Sequence, residues 1–166
     1  GVQAPEVIVE VHLGNGLPAF HIVGLPEASV KEAKDRVRSA LENSQFGFPD
    51  QRITVNLAPA DLPKDGGRFD LAIAVGILVA SGQIVCPDIH RYEFYGELAL
   101  NGEVRGVNAI LPSVLGAKEK GRCCFLPAEN DTLASLVSGV SRKAIYSIQD
   151  VWRKNLIVLD EEAQFW

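Results

Sequence analysis

The segment Pro63-Lys64-Asp65-Gly66-Gly67-Arg68-Phe69-Asp70 places two glycines, a guanidinium and further charges directly ahead of the apolar run 71–80. Gly66 and Gly67 could present backbone N–H groups to an anion at the start of a helix, and Arg68 would add a planar fork suited to phosphate or carboxylate. DNA backbone or a nucleotide from an adjoining module would be the candidate phosphates. The competing reading, which we prefer, has Arg68 ion-paired with Asp61, Asp65, Asp70 or Glu97 so that it pins the loop. Lys64 and Asp65 are expected to be solvated or ion-paired, not a general acid and base.

Lys31, Lys34, Arg36 and Arg38 form the densest basic cluster, and Arg52 follows shortly after. They could position a phosphate backbone. Glu27, Glu32, Asp35 and Glu42 are interleaved with them, a mixture more typical of a solvated helix with i,i+4 pairs. The net charge of −5 argues against a surface that is basic throughout. His12, His21 and His90 have no partner spacing. The three cysteines, 86, 123 and 124, lack metal-ligand spacing and are expected to be reduced structural thiols. No metal site is expected.

These groups need elements to hold them. Val7, Val9, Val11 and Leu13 alternate with polar or outward residues, Gly14-Asn15-Gly16 reads as a hairpin turn, and Ala19 to Val23 as the return strand. Val30, Ala33, Val37, Ala40 and Leu41 follow helical spacing with a charged outer face. Ile53, Val55 and Leu57 make a third strand. Asp70 is expected as N-cap or first-turn acid of a buried helix over 71–80 that Gly82 stops. Tyr92 to Leu100 and Glu103 to Val107 flank Asn101-Gly102, a hairpin signal. A helix from about Leu111 to Lys120, a strand Cys123 to Leu126, a turn at 127–130, a helix near Leu133 to Val137 and a strand Ala144 to Ile148 complete the pattern. Strands and helices interleave, so the expected fold is a mixed sheet packed with helices, α/β in class (α+β).

At 166 residues and 47% hydrophobic content the chain has enough material for one compact domain, expected over 1–159, with 160–166 as the start of a linker. Methionine is absent, which implies a piece of a longer polypeptide. No apolar stretch is long enough to cross a membrane and no signal peptide is evident, so a cytoplasmic location is expected. Trp152 is expected to pack on its own domain.

Gly96-Glu97 through Arg105, with Pro127-Ala128-Glu129-Asn130 further on, resembles the hairpin and the Pro-x-Glu-Asn turn of the Lon proteolytic domain, and Pro63-Lys64-Asp65-Gly66 resembles its nucleophile loop. Val23-Gly24-Leu25-Pro26-Glu27, Val30-Lys31-Glu32, Asp35-Arg36-Val37-Arg38 and Val55 to Lys64 narrow the match. Together they are similar to the N-terminal domain of the ComM/YifB family of magnesium-chelatase-like AAA+ proteins. The resemblance implies a Lon-like domain ahead of an AAA+ motor, in ring-shaped DNA helicases that promote branch migration in natural transformation and recombination. Its implied partners are its own AAA+ module, further copies in a ring, and DNA. ATP and Mg would belong to the motor, because no Gly-x-x-x-x-Gly-Lys-Ser/Thr occurs here.

A Ser-Lys peptidase needs a hydroxyl beside an amine whose pKa is lowered by burial. The resemblance puts Arg68 at the nucleophile position and Leu111, in a gapless alignment, at the lysine position. Ser113 lies two residues further on. The expected reading is a catalytically inactive domain acting in oligomer assembly or DNA guiding. The alternatives are an active Ser-Lys peptidase or other hydrolase, and a magnesium-chelatase-related subunit.

Overall fold

The computed structural model describes residues 6–60, 64, 66–153 and 158–159. In chain order the elements are β1 (Ile8–Gly14), β2 (Ala19–Val23), α1 (Glu27–Glu42), β3 (Arg52–Ala58), α2 (Asp70–Ala80), β4 (Ile84–Val85), β5 (Tyr92–Phe94), β6 (Glu97–Leu98), β7 (Val104–Arg105), α3 (Ile110–Glu119), β8 (Cys123–Pro127), α4 (Ala128–Ala134), β9 (Ser141–Ile145), α5 (Asp150–Arg153) and β10 (Val158–Leu159). The architecture is mixed α/β, as the interleaved pattern implies. The expected linker, 160–166, lies outside the described residues.

β1, β3 and β2 form one sheet in that order, with β1 antiparallel and β2 parallel to β3. The expected β1–β2 hairpin is therefore corrected. β2, α1 and β3 make a parallel crossover unit, and β3 enters between β2 and β1. The loop after Gly14 reverses the chain but must cross two strand spacings, about 10 Å, so its turn residues do not produce a paired hairpin. Registers align Leu13, Ile53 and Phe20, then Val11, Val55 and Ile22, across the three strands. Those side chains face α1 and α2, and the helical stripe Ala33, Val37, Ala40 and Leu41 is buried against them. Polar Glu10, His12, His21 and Asn56 alternate onto the open face.

A second sheet runs β5, β8, β9, all parallel, and β6 pairs with β7 across the Asn101-Gly102 turn. The single strand expected over 92–100 is thus two. The break comes at Tyr95-Gly96, where the Gly96 N–H donates to the Arg68 carbonyl (3.1 Å) and the Gly96 carbonyl accepts from Leu71 N–H (3.1 Å). The chain leaves the sheet there to bond the loop ahead of α2. The expected turn at 127–130 is instead the first turn of α4, which ends at Ala134, before most of the predicted helix span. Strand β9 begins three residues before its predicted start. α3, α4 and β8 enclose a smaller core of Ile110, Val114, Ala117, Cys124, Leu126 and Ala134.

Asp70 sits in the first turn of α2 but caps nothing there. It is 1% exposed, and its carboxylate accepts two bonds from Arg36 of α1 (Nε 2.6 Å, Nη2 3.2 Å) and one from the Leu98 N–H of β6 (3.1 Å). One carboxylate therefore fastens α1, α2 and the β6–β7 hairpin. Burial raises its pKa from 3.8 to about 6, and Arg36 opposes that rise.

Gly24 ends β2 with φ +99°, and a β-carbon there would lie 2.0 Å from the Leu57 carbonyl oxygen of β3. Gly24→Ala should destabilise the domain by at least about 2 kcal/mol in urea unfolding, through backbone strain and that clash. Arg36→Ala should cost about 3 kcal/mol near pH 8, because it strands a buried carboxylate. The sign with pH follows from the raised pKa. The folded state binds Asp70's proton more readily than the unfolded state, so Asp70's contribution is full below 3.8 and is lost as pH rises through about 6. Removing Arg36 moves that loss to higher pH and deepens it. The Arg36→Ala penalty should therefore shrink markedly between pH 8 and pH 5, measured by denaturant titration at each pH.

Candidate functional site

The loop ahead of α2, the edge strand β1, strand β5 and one face of α3 surround a cleft of about 1000 Å³. Gly66, Gly67 and Arg68 all line it. Gly66 has φ +59°, and Gly67 is buried where a β-carbon would lie 2.5 Å from Glu97 Cγ and 2.7 Å from Asp70 Oδ2. Glycine at 67 is thus required by the close approach of two carboxyl side chains. The same neighbours make the Gly66-Gly67 backbone a poor cradle for a phosphate.

Arg68 reaches across the cleft to the start of α3. Nη1 donates to the Asn108 carbonyl (2.8 Å) and Nη2 to the buried Ser113 hydroxyl (2.6 Å). Its guanidinium carbon is 5.6 Å from the Tyr95 ring centroid and 6.0 Å from that of Phe69. Burial lowers its pKa. Among the described residues the partners of Arg68 are a carbonyl and a hydroxyl, so the expected pairing with Asp70 or Glu97 is corrected, while Asp61 and Asp65, the other expected partners, lie outside the described residues. Asp70, one expected partner, is already held by Arg36.

Lys64 is also corrected in part. It is 2% exposed rather than solvated, and its ammonium donates to the Pro59 carbonyl. It is not among the residues lining the cleft. Leu111, given the lysine position by the gapless alignment, does not line the cleft either, whereas Pro112 and Ser113 do. Residues two apart on a helix point about 200° apart, so when Ser113 faces the loop Leu111 cannot. Ser113 is the site residue whose role the sequence did not reveal. It lies two residues beyond Leu111, but only the helix phase shows that it meets Arg68.

Arg68 cannot activate Ser113 as a nucleophile. Its hydroxyl accepts a bond from a permanent cation, which has no capacity to take the hydroxyl proton. The neighbouring Tyr95 donates its own hydroxyl to Glu93, and burial raises its pKa. The far end of the cleft is closed by Arg122, which donates to Glu6 (2.9 Å) and Glu93 (3.2 Å), with Lys120 3.7 Å from Glu6. The Arg122 bond holds the Glu6 carboxyl below its ordinary pKa. Burial pushes the Cys86 and Cys124 thiols up to about 11 and about 12, which removes them as thiolate nucleophiles at neutral pH.

The basic cluster is dispersed in the fold. Arg36 is 20% exposed and held by Asp70, which withdraws it from any phosphate contact. Arg38 lies 4.3 Å over the Phe48 ring, and Lys31 is 3.8 Å from Asp35 on the solvent face. Lys34 is half-buried and Arg52 is exposed at the start of β3. Trp152 is half-buried on its own domain, its indole N–H buried without an acceptor among the described residues.

The chain is 55% identical over 151 residues to the competence protein ComM of Haemophilus influenzae, covering 91% of this chain and 30% of that protein. It is 50% identical to the protein YifB of Escherichia coli over 84% of this chain and 28% of that one. A weaker likeness, 26% over 133 residues, links it to Lon protease 2 of Bacillus subtilis, covering 79% of this chain and 24% of that protease. The chain thus spans about three-tenths of the length of the ComM and YifB relatives it matches. Residues 9–130 match the family model described as subunit ChlI of Mg-chelatase, and the chain belongs to that family.

Proposed function

We propose that this domain is a catalytically silent, Lon-like N-terminal module of a ComM-type AAA+ ATPase, and that it serves in assembling the subunits of that protein. The observation that carries the reading is the 2.6 Å bond from Arg68 to Ser113. A guanidinium stands at the position of a peptidase nucleophile and takes the hydroxyl opposite as its acceptor. Loop, buried helix, hairpin and cleft are retained around it, so the scaffold persists without the dyad.

The remaining seven-tenths of the ComM relative lies beyond the matched region and would contain the ATP- and Mg-binding machinery, for which these 166 residues carry no phosphate-loop sequence. The whole protein would then be an ATP-dependent DNA helicase promoting branch migration. Assembly is favoured over DNA guiding because Arg36 and Arg38 are occupied by Asp70 and Phe48 within the domain. Lys34 and Arg52 remain as candidates for backbone contact, too few for strong phosphate binding.

A fluorophosphonate serine probe should give no stoichiometric labelling of this chain, and labelling of any serine would overturn catalytic silence. Deleting residues 1–159 from the full-length protein should lower its oligomer mass in solution at physiological salt. An unchanged mass, together with salt-dependent binding of this chain to forked DNA, would replace assembly by DNA guiding.

A further inference from the structure

The cleft contains a half-buried cation without a counter-charge among the described residues. Arg68 takes part in none of the ion pairs of the described residues. Burial lowers its pKa and the Tyr95 side chain opposes that, and among the described residues no carboxylate contributes. The other acidic groups around the cleft have basic neighbours among the described residues. Glu6 and Glu93 meet Arg122 and Lys120, and Glu97 lies over Gly67 beside the Arg36–Asp70 pair.

Two of the N–H donors of Arg68 go to Asn108 and Ser113. A guanidinium has five, so among the described residues three have no acceptor. The bonds already made hold the group in place, so a ligand would meet a fixed fork. Around it the walls are largely apolar, with Val7, Val9, Ala72, Val75, Phe94 and Val107 among the lining residues. A hollow of this size, mostly apolar with one positioned polar group, has the form of a small-molecule site. An anion that neutralises a partly desolvated cation also gains more than it would in water. A single guanidinium suits a monoanion, and a phosphate dianion would call for more positive charge.

We propose that this cleft binds an amphipathic carboxylate, its apolar body along the Val9, Val75 and Phe94 walls and its head group on the free edge of the Arg68 guanidinium.

The test uses this chain with 1-anilinonaphthalene-8-sulfonate as a fluorescent reporter, displaced by decanoate, by decanol and by inorganic phosphate, all below micelle-forming concentrations. Decanoate should displace the reporter at a concentration at least ten times lower than decanol, and phosphate should not displace it. Arg68→Gln should abolish the preference for decanoate over decanol, and Arg68→Lys should keep part of it. Equal potency of decanoate and decanol, an unchanged preference in Arg68→Gln, or displacement by phosphate as good as by decanoate would each overturn the proposal. Should Arg68→Gln fail to fold, the NMR signal of the Arg68 Nε–H in the unaltered chain decides. It should shift with decanoate and not with decanol, and a signal indifferent to decanoate would also overturn the proposal.

Discussion

The carboxylate of Asp70 is the point on which the arrangement of this domain depends. It accepts from Arg36 on α1 and from the Leu98 N–H on the β6–β7 hairpin while anchored in the first turn of α2. Three elements distant in sequence are thereby set against one another at a single buried position. A charge in that place is tolerated because each of its hydrogen bonds comes from a fixed donor, one of them itself charged.

The clamp also explains why Arg68 behaves as it does. With Asp70 committed to Arg36, the guanidinium two residues earlier turns the other way, across the cleft, and finds Asn108 and Ser113 on the far side. A loop that resembles that of a peptidase thus ends in a structural crosslink between the α2 and α3 sides of the domain. The relation to a Lon protease and the much closer one to ComM fit together in this picture. The chain resembles both, and position 68 holds an arginine where the resemblance to Lon places the nucleophile.

Much of the secondary structure was legible in local pattern. The strand of 19–23, the stripe of α1, the buried α2 and the Asn101-Gly102 turn each have a period or a turn chemistry that few alternatives satisfy. Pairing was not legible in the same way. The Gly14-Asn15-Gly16 turn signals a chain reversal, but whether the returning strand lies next to β1 or one place away depends on where β3 inserts, about thirty residues later. The start of α4 was missed because Pro127 reads equally as a turn residue and as the residue before a helix. At the site, Arg68 and the glycines beside it stood out by type, whereas Ser113 needed the phase of α3 to be known.

Residue type and spacing determined on their own that this chain alternates strands with helices, that position 68 holds a permanent cation, and that no phosphate loop is present. Those are properties of single residues or of short windows, and local sterics and chemistry suffice for them. Tertiary structure decided which partner each charge received. Arg36 looked like one cation among several on a solvated face, yet it is drawn inward because Asp70 is buried within reach. Arg68 looked like a match for nearby acids, yet Asp70 is already held by Arg36. Ion pairing depends on distance and desolvation, and both are set by elements brought together from across the chain, which no sequence window contains.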